Sequence, residues 1–229
     1  MKIKVYQIYY DESQKKSLMD GFFPYFNEKA TINFESDVIC DLVDSGKCSD
    51  CDWFGVFSWK VNSKLRKFNF DKIKKVVGEC GEVDLIGNEQ LNSRGRLTYR
   101  QHNIRKANFN TMGGLWPCLD LIVKKLGITK QKVLTGRGYA ISFNAFIAKP
   151  SVYSDYVNNL LKPAINLCNN DDEVASMVRE KSSYENGKLP PNNFTKDTGF
   201  EYYPWIPFIL ERLINVYVEI NNLKVAYKL

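Results

Sequence analysis

The sequence predicts a single α/β domain, built on a mixed, mainly parallel sheet flanked by helices. Three observations carry that expectation. Strand-like and helix-like segments alternate along most of the chain, the order that leads to a sheet with helices on its faces. The 229 residues are 44% hydrophobic and 25% charged, the balance of a globular chain long enough to bury one sizeable core. The most apolar long segment, Trp205 to Asn222, repeats Ile209, Leu213, Val216 and Ile220 at helical spacing.

Lys2 to Tyr10 alternates and is rich in β-branched and aromatic residues, which suits an opening strand, and Asp11, Glu12 and Ser13 supply turn and helix-cap chemistry after it. Phe34 to Val43 places Val38, Ile39, Leu42 and Val43 on one helical face before the turn-forming Asp44, Ser45 and Gly46. Trp53 to Trp59 reads as a buried strand. A short amphipathic helix is expected from Asp71 to Val77, a turn at Gly78 to Gly81, and a strand from Val83 to Ile86. Gly87 to Asn110 is polar and basic, either a solvated loop or a lid. Leu115 to Leu126 regains helical periodicity and Gly127 ends it. Ala140 to Ala148 reads as a strand, and Ser151 caps a helix with Tyr153, Tyr156, Val157, Leu160 and Leu161 on one face, which Pro163 is expected to kink. Glu180 to Thr198, with Gly187, Pro190 and Pro191, reads as a loop. No boundary divides residues 1–229, so one domain is expected, with its basic excursion at about 87–110 and its polar loop at about 180–198.

The net charge of +6 gives a mild attraction for phosphate-bearing partners. The basic residues are spread along the chain without a long run, which makes nucleic acid an unlikely main partner. The N-terminus lacks the apolar core and cleavage site of a signal peptide, and no stretch approaches the roughly 18 apolar residues of a membrane helix, so a soluble, cytoplasmic protein is expected. Of six cysteines only Cys48 and Cys51 have metal-ligand spacing, without a second pair, which favours reduced thiols over a zinc site. The only histidine, His102, lies in the basic excursion beside no nucleophile motif. Neither a P-loop nor a GxGxxG fingerprint occurs.

Three segments, in order, resemble the GT-A type glycosyltransferases of bacterial and viral polysaccharide synthesis. Tyr6 to Asp11 is a strand with an acidic end, where that family holds a nucleotide base. Ser142 to Pro150 is similar to a strand carrying an Asn-Ala pair before a helix, and Trp205 to Leu213 resembles a Phe-x-x-Glu-Arg-Leu element. The resemblance implies a nucleotide-sugar donor, a glycan or small-molecule acceptor, and transfer of the sugar between them, with Tyr9 and Asp11 near the nucleotide.

Such chemistry must stabilise a nucleoside diphosphate leaving group with a metal or fixed cations. Glu82 and Asp84 stand where the family's Asp-x-Asp pair would hold Mn²⁺ or Mg²⁺, Asp84 being the better ligand, although a solvated strand end explains them equally. Asp50 and Asp52 form a second, earlier acidic pair. Arg94, Arg96, Arg100 and Lys106 could close over the diphosphate instead. On the acceptor side, Asn144 would bind a sugar hydroxyl or a backbone partner, and Glu211 would act as base or form an internal salt bridge, with Arg212 beside it. Trp116, Tyr139 and Trp205 suit either sugar stacking or the core. The imperfect acidic pair keeps a second expectation open, a non-catalytic binding or structural protein on the same scaffold.

Overall fold

The structure is a computed structural model, and it describes residues 1–65, 67–88, 114–128, 141, 143–182 and 192–229. The expected α/β architecture is present: a six-stranded mixed sheet with helices on both faces. The strands are β1 (Ile3–Tyr9), β2 (Phe23–Phe26), β3 (Trp53–Ser58), β4 (Leu85–Gly87), β5 (Phe146–Ala148) and β6 (Val225–Tyr227), lying in the order β2-β1-β3-β5-β4-β6. β2, β1 and β3 run parallel, β5 is antiparallel to both β3 and β4, and β6 is parallel to β4. Since β5 reverses direction twice over, β4 and β6 point the same way as β1 and β3.

Alternation along the strands feeds two cores. Ile8, Phe54, Phe146 and Ala148 face α1 (Glu35–Asp44), α4 (Leu115–Lys125) and the C-terminal helices. Val5, Phe57 and Ile147 face α3 (Phe70–Glu79) and the small α2 (Val61–Lys64), where Ile73, Val76 and Val77 present the apolar face of α3. Asn69 caps α3 by accepting from Lys72 N at 2.8 Å, so the helix starts at Phe70, one residue before Asp71. Gly55 lets β5 approach closely, since a Cβ there would lie 2.5 Å from Ile147 Cγ2.

Two edge strands escape sequence reasoning. β2 contains Pro24 and leaves Phe23 and Phe26 exposed, so it shows no core-facing alternation. It is held by backbone pairing to β1 and by the Tyr6–Phe23 and Tyr9–Phe26 ring contacts. β6 is three half-buried residues whose strand state comes from pairing with β4.

Four expected elements are corrected. Of the strand expected at Ala140 to Ala148, the described residues form strand at Phe146–Ala148, because Phe143 (φ 45°) and Asn144 (φ 51°) have positive φ and turn the chain into it; 140 and 142 lie outside the described residues. The strand expected from Val83 begins at Leu85, so Glu82, Val83 and Asp84 precede it. The loop expected through Thr198 contains α8 (Asn192–Thr198), ordered by Phe194, which stacks on Phe34 at 5.1 Å; 183–191 lie outside the described residues. The long C-terminal helix is two, α9 (Ile206–Leu210) and α10 (Leu213–Asn221), broken at Glu211 and Arg212. Arg212 bonds the Phe208 carbonyl at 2.8 Å, occupying an acceptor that a continuous helix would give to a backbone N–H.

The helix expected to kink at Pro163 passes through a π-helical turn just before that proline. α5 (Pro150–Tyr156) passes through Val157–Leu161 into α6 (Lys162–Asn170), and α7 (Asp172–Val178) follows after Asp171. Lys162 N–H reaches back to Val157 O, a widened bond that accommodates the proline next to it, which has no N–H to donate. Among the described residues no helix is long and apolar enough to cross a membrane.

Candidate functional site

A cavity of about 240 Å³ opens at the carboxyl ends of β1 and β3, the end of an α/β sheet where the chain leaves its strands and ligands bind. Tyr10, Asp11 and Gln14 enter it after β1, Ser58 and Trp59 after β3. α1 contributes Glu35 and its flanking Phe34, α2 contributes Lys64 with Lys60 just before it, and Phe194, Tyr203, Phe208 and Glu211 close the far wall.

Each polar group is positioned by local structure. Asp11 caps the 3-10 turn Glu12–Ser17, accepting from Gln14 N at 3.2 Å, from Gln14 Nε2 at 2.7 Å and from the Ser13 hydroxyl. Those donors, the Ser13 hydroxyl first, hold its carboxyl below the usual range. Gln14 Oε1 in turn accepts from Tyr10 N at 2.8 Å, so the segment after β1 is pinned twice. Beneath it Gln7, fully buried, accepts from Met19 N at 2.8 Å and fixes the chain leaving the turn.

Glu35 is the first residue of α1, directed by Phe34 in the left-handed conformation (φ 50°). Burial, and then the neighbouring Glu211 carboxylate, push the Glu35 carboxyl above its usual range, with Lys64 and Lys60 opposing. Glu211 sits at the α9–α10 break and pairs with Arg212 at 3.0 Å. Burial first, then Glu35 and Glu211, push the Tyr10 hydroxyl well up. The Tyr10 hydroxyl and Thr31 Oγ1 are shielded from solvent and make no hydrogen bond to a described residue; Asn27 lies near Tyr10 without reaching hydrogen-bonding geometry. Lys60 and Lys64 stand one helical turn apart at the rim, Lys60 Nζ 4.9 Å from the Trp59 ring and Lys64 Nζ 4.6 Å from the Phe143 ring.

The structure brings two of the sequence-derived candidates together, Asp11 and Glu211, in this one cavity. Tyr9 does not join them: its side chain is buried and its ring packs on Phe26 at 5.1 Å, because alternation along β1 turns Tyr9 away and Tyr10 toward the cavity. Asn144 is buried at the same end of the sheet, in the turn that precedes β5 rather than on the strand, and is not part of the cavity wall. Arg94, Arg96, Arg100, Lys106 and Tyr139 lie outside the described residues. Trp116 and Trp205 belong to the core.

Glu82 and Asp84 lie at the opposite end of the sheet. β4 runs parallel to β1, and Asp84 precedes β4, so the seven-residue length of β1, roughly 20 Å at about 3.3 Å per residue, separates that level from the cavity. Asp84 is also engaged: one oxygen accepts from Lys224 N at 3.0 Å and the other lies 3.6 Å from Lys149 Nζ. A hard cation takes several carboxylate oxygens; those of Asp84 are shared with Lys224 N and Lys149, and among the described residues no third acidic, His or Cys side chain joins the pair. Asp50 and Asp52 are likewise held, by Lys2 Nζ at 2.6 Å and Lys2 N at 2.6 Å. Among the described residues no group of three His, Cys, Asp or Glu side chains is arranged to hold a metal, and all six cysteines are free thiols.

Glu35, Tyr10, Lys60 and Lys64 were not singled out from the sequence as site residues. Glu35 looks like any acidic residue in a first helical turn, and the lysines like ordinary surface charge. Only the fold places them around one volume.

No family model and no curated protein sequence matches the chain. Among solved structures, the chain is similar in fold to one described as the apo structure of the bifunctional glycosyltransferase WbbM, with a TM-score of 0.50 and 11% sequence identity. The match covers 99% of this chain and 44% of that one, so the chain spans less than half the length of its structural neighbour. At that identity the likeness bears on the fold alone.

Proposed function

We propose that the protein binds a nucleotide-sugar donor in the cavity at the ends of β1 and β3 and transfers the sugar to a glycan or small-molecule acceptor. The observation that carries this reading is the composition of that one volume: an aromatic wall, the three carboxylates of Asp11, Glu35 and Glu211, and a pair of lysines, in a fold shared with a glycosyltransferase. Asp11 and Gln14 offer hydrogen bonds to the nucleotide, and Phe34 and Trp59 offer ring faces. Lys60 and Lys64 take the diphosphate and neutralise the charge that develops as it leaves. Glu211, paired with Arg212 at 3.0 Å, accepts the proton of the attacking hydroxyl.

The position of Glu82 and Asp84, far from this cavity, with Asp84 already bonded to Lys224 N and close to Lys149, favours a second reading in which the scaffold binds ligands without turnover. One experiment separates the two. Purified protein is incubated with a panel of nucleotide sugars and acceptor oligosaccharides, and release of nucleoside diphosphate is followed. Transfer predicts release that Glu211→Gln slows by about 10²–10⁴-fold, with donor binding retained. Binding without release from any donor would support the non-catalytic reading.

A further inference from the structure

We propose that the cavity selects a sugar carrying a protonated primary amine, whose ammonium lies between the carboxylates of Glu35 and Glu211. The inference rests on reading the cavity as a sugar site and adds the chemical class of the sugar. Two carboxylates, from the start of α1 and the end of α9, line one volume of about 240 Å³. Glu211 has Arg212 beside it, whereas Glu35 forms no ion pair with a described residue. Burial and the charge of Glu211 both work against the ionised form of Glu35. A ligand ammonium between them replaces that repulsion with two charge-assisted hydrogen bonds.

The surroundings suit a cation. Tyr10, Phe34 and Phe208 line the same volume and present ring surface to it. The shielded Tyr10 hydroxyl and Thr31 Oγ1 supply polar atoms that have no bond of their own among described residues, and buried polar groups in such a position are expected to meet a partner. Lys60 and Lys64 are exposed at the rim rather than inside, so they direct an anionic portion of the ligand outward and leave the inner end to the amine. A neutral hydroxyl or an N-acetyl group in the same place adds no positive charge to offset the repulsion between Glu35 and Glu211. Among the described residues, the charged and titratable groups that line the cavity with Glu35 are Tyr10 and Asp11 after β1, Lys60 and Lys64 at α2, Tyr203, and Glu211, which is paired with Arg212.

The test uses the full chain and three probes, glucosamine, glucose and N-acetylglucosamine, titrated calorimetrically at neutral pH. Glucosamine is expected to bind at least about tenfold more tightly than the other two, the difference a charge-assisted bond makes. Glu35→Gln and, independently, Glu211→Gln are each expected to bring the three sugars to similar affinity, with thermal unfolding confirming that each variant is folded. In the wild-type protein the preference should fade as pH falls and Glu35 takes up its proton. Equal binding of the three sugars, no binding of glucosamine, or a preference that survives both substitutions would overturn the proposal. A parallel arm with uridine and guanosine diphosphates keeps the outcomes distinct: nucleotide binding without amine preference removes this inference alone, and amine preference without nucleotide binding removes the transferase reading alone.

Discussion

Glu35 is the residue on which the site's electrostatics turn. Its carboxyl is pushed above its ordinary value in the folded protein, chiefly because the half-buried side chain loses water and secondly because Glu211 is near. The folded state therefore keeps that proton to higher pH than the unfolded chain does, and stability falls as pH rises through the interval between the two. Glu35→Gln removes the loss. The variant should have a higher denaturant midpoint than wild type above that interval, and the two should converge as pH falls below the ordinary carboxylate range of about 4. Chemical denaturation across that pH range measures it, and an advantage that grows toward low pH would contradict the assignment. Asp11 has the opposite sign, since its hydrogen bonds favour the ionised form; its contribution is present above its unfolded range and is lost as pH falls through the lower, folded one.

At the scale of elements, the cavity walls depend on a few contacts that join segments far apart in sequence. Asn215 in α10 is buried, accepts from Ile141 N at 2.7 Å and donates to Ile141 O at 2.9 Å. Asn215→Ala strands both backbone groups and should destabilise the protein by about 2–3 kcal/mol in denaturant unfolding. Phe194 of α8, 2% exposed, stacks on Phe34 beside the cavity. Phe194→Ala should cost about 3 kcal/mol and weaken ligand binding together with stability, since the same ring forms the wall. Helices α1, α3 and α4 were legible in the sequence because each buries a stripe whose spacing is written in its own residues. β2, β6 and the break at Glu211 were not, because each is decided by a partner distant in the chain: the edge of β1, the edge of β4, and the Phe208 carbonyl that Arg212 occupies. The same division runs through the site. Asp11 and Glu211 stood out as charges beside apolar segments, while Glu35 and Lys60 acquire meaning only from what the sheet brings opposite them.

For the whole molecule, the parallel run of β1, β3 and β4 sets two ends with different chemistry. At one end Lys2, Asp50, Asp52, Asp84 and Lys149 neutralise one another. At the other, the cavity holds carboxylates and lysines with room between them for a ligand. If ligand binds at the second end, Asp84→Asn should leave nucleotide binding unchanged while loosening the contact to Lys224. The most direct test of the central claim is thermal unfolding in the presence of uridine and guanosine diphosphates, for the wild-type protein and for Lys60→Ala/Lys64→Ala. Binding at the cavity predicts a rise in the wild-type Tm with at least one nucleotide, corresponding to about 2.7 kcal/mol when the ligand is at 100 times its Kd, and loss of most of that rise in the double variant. No rise with either nucleotide, or an equal rise in the double variant, would contradict it.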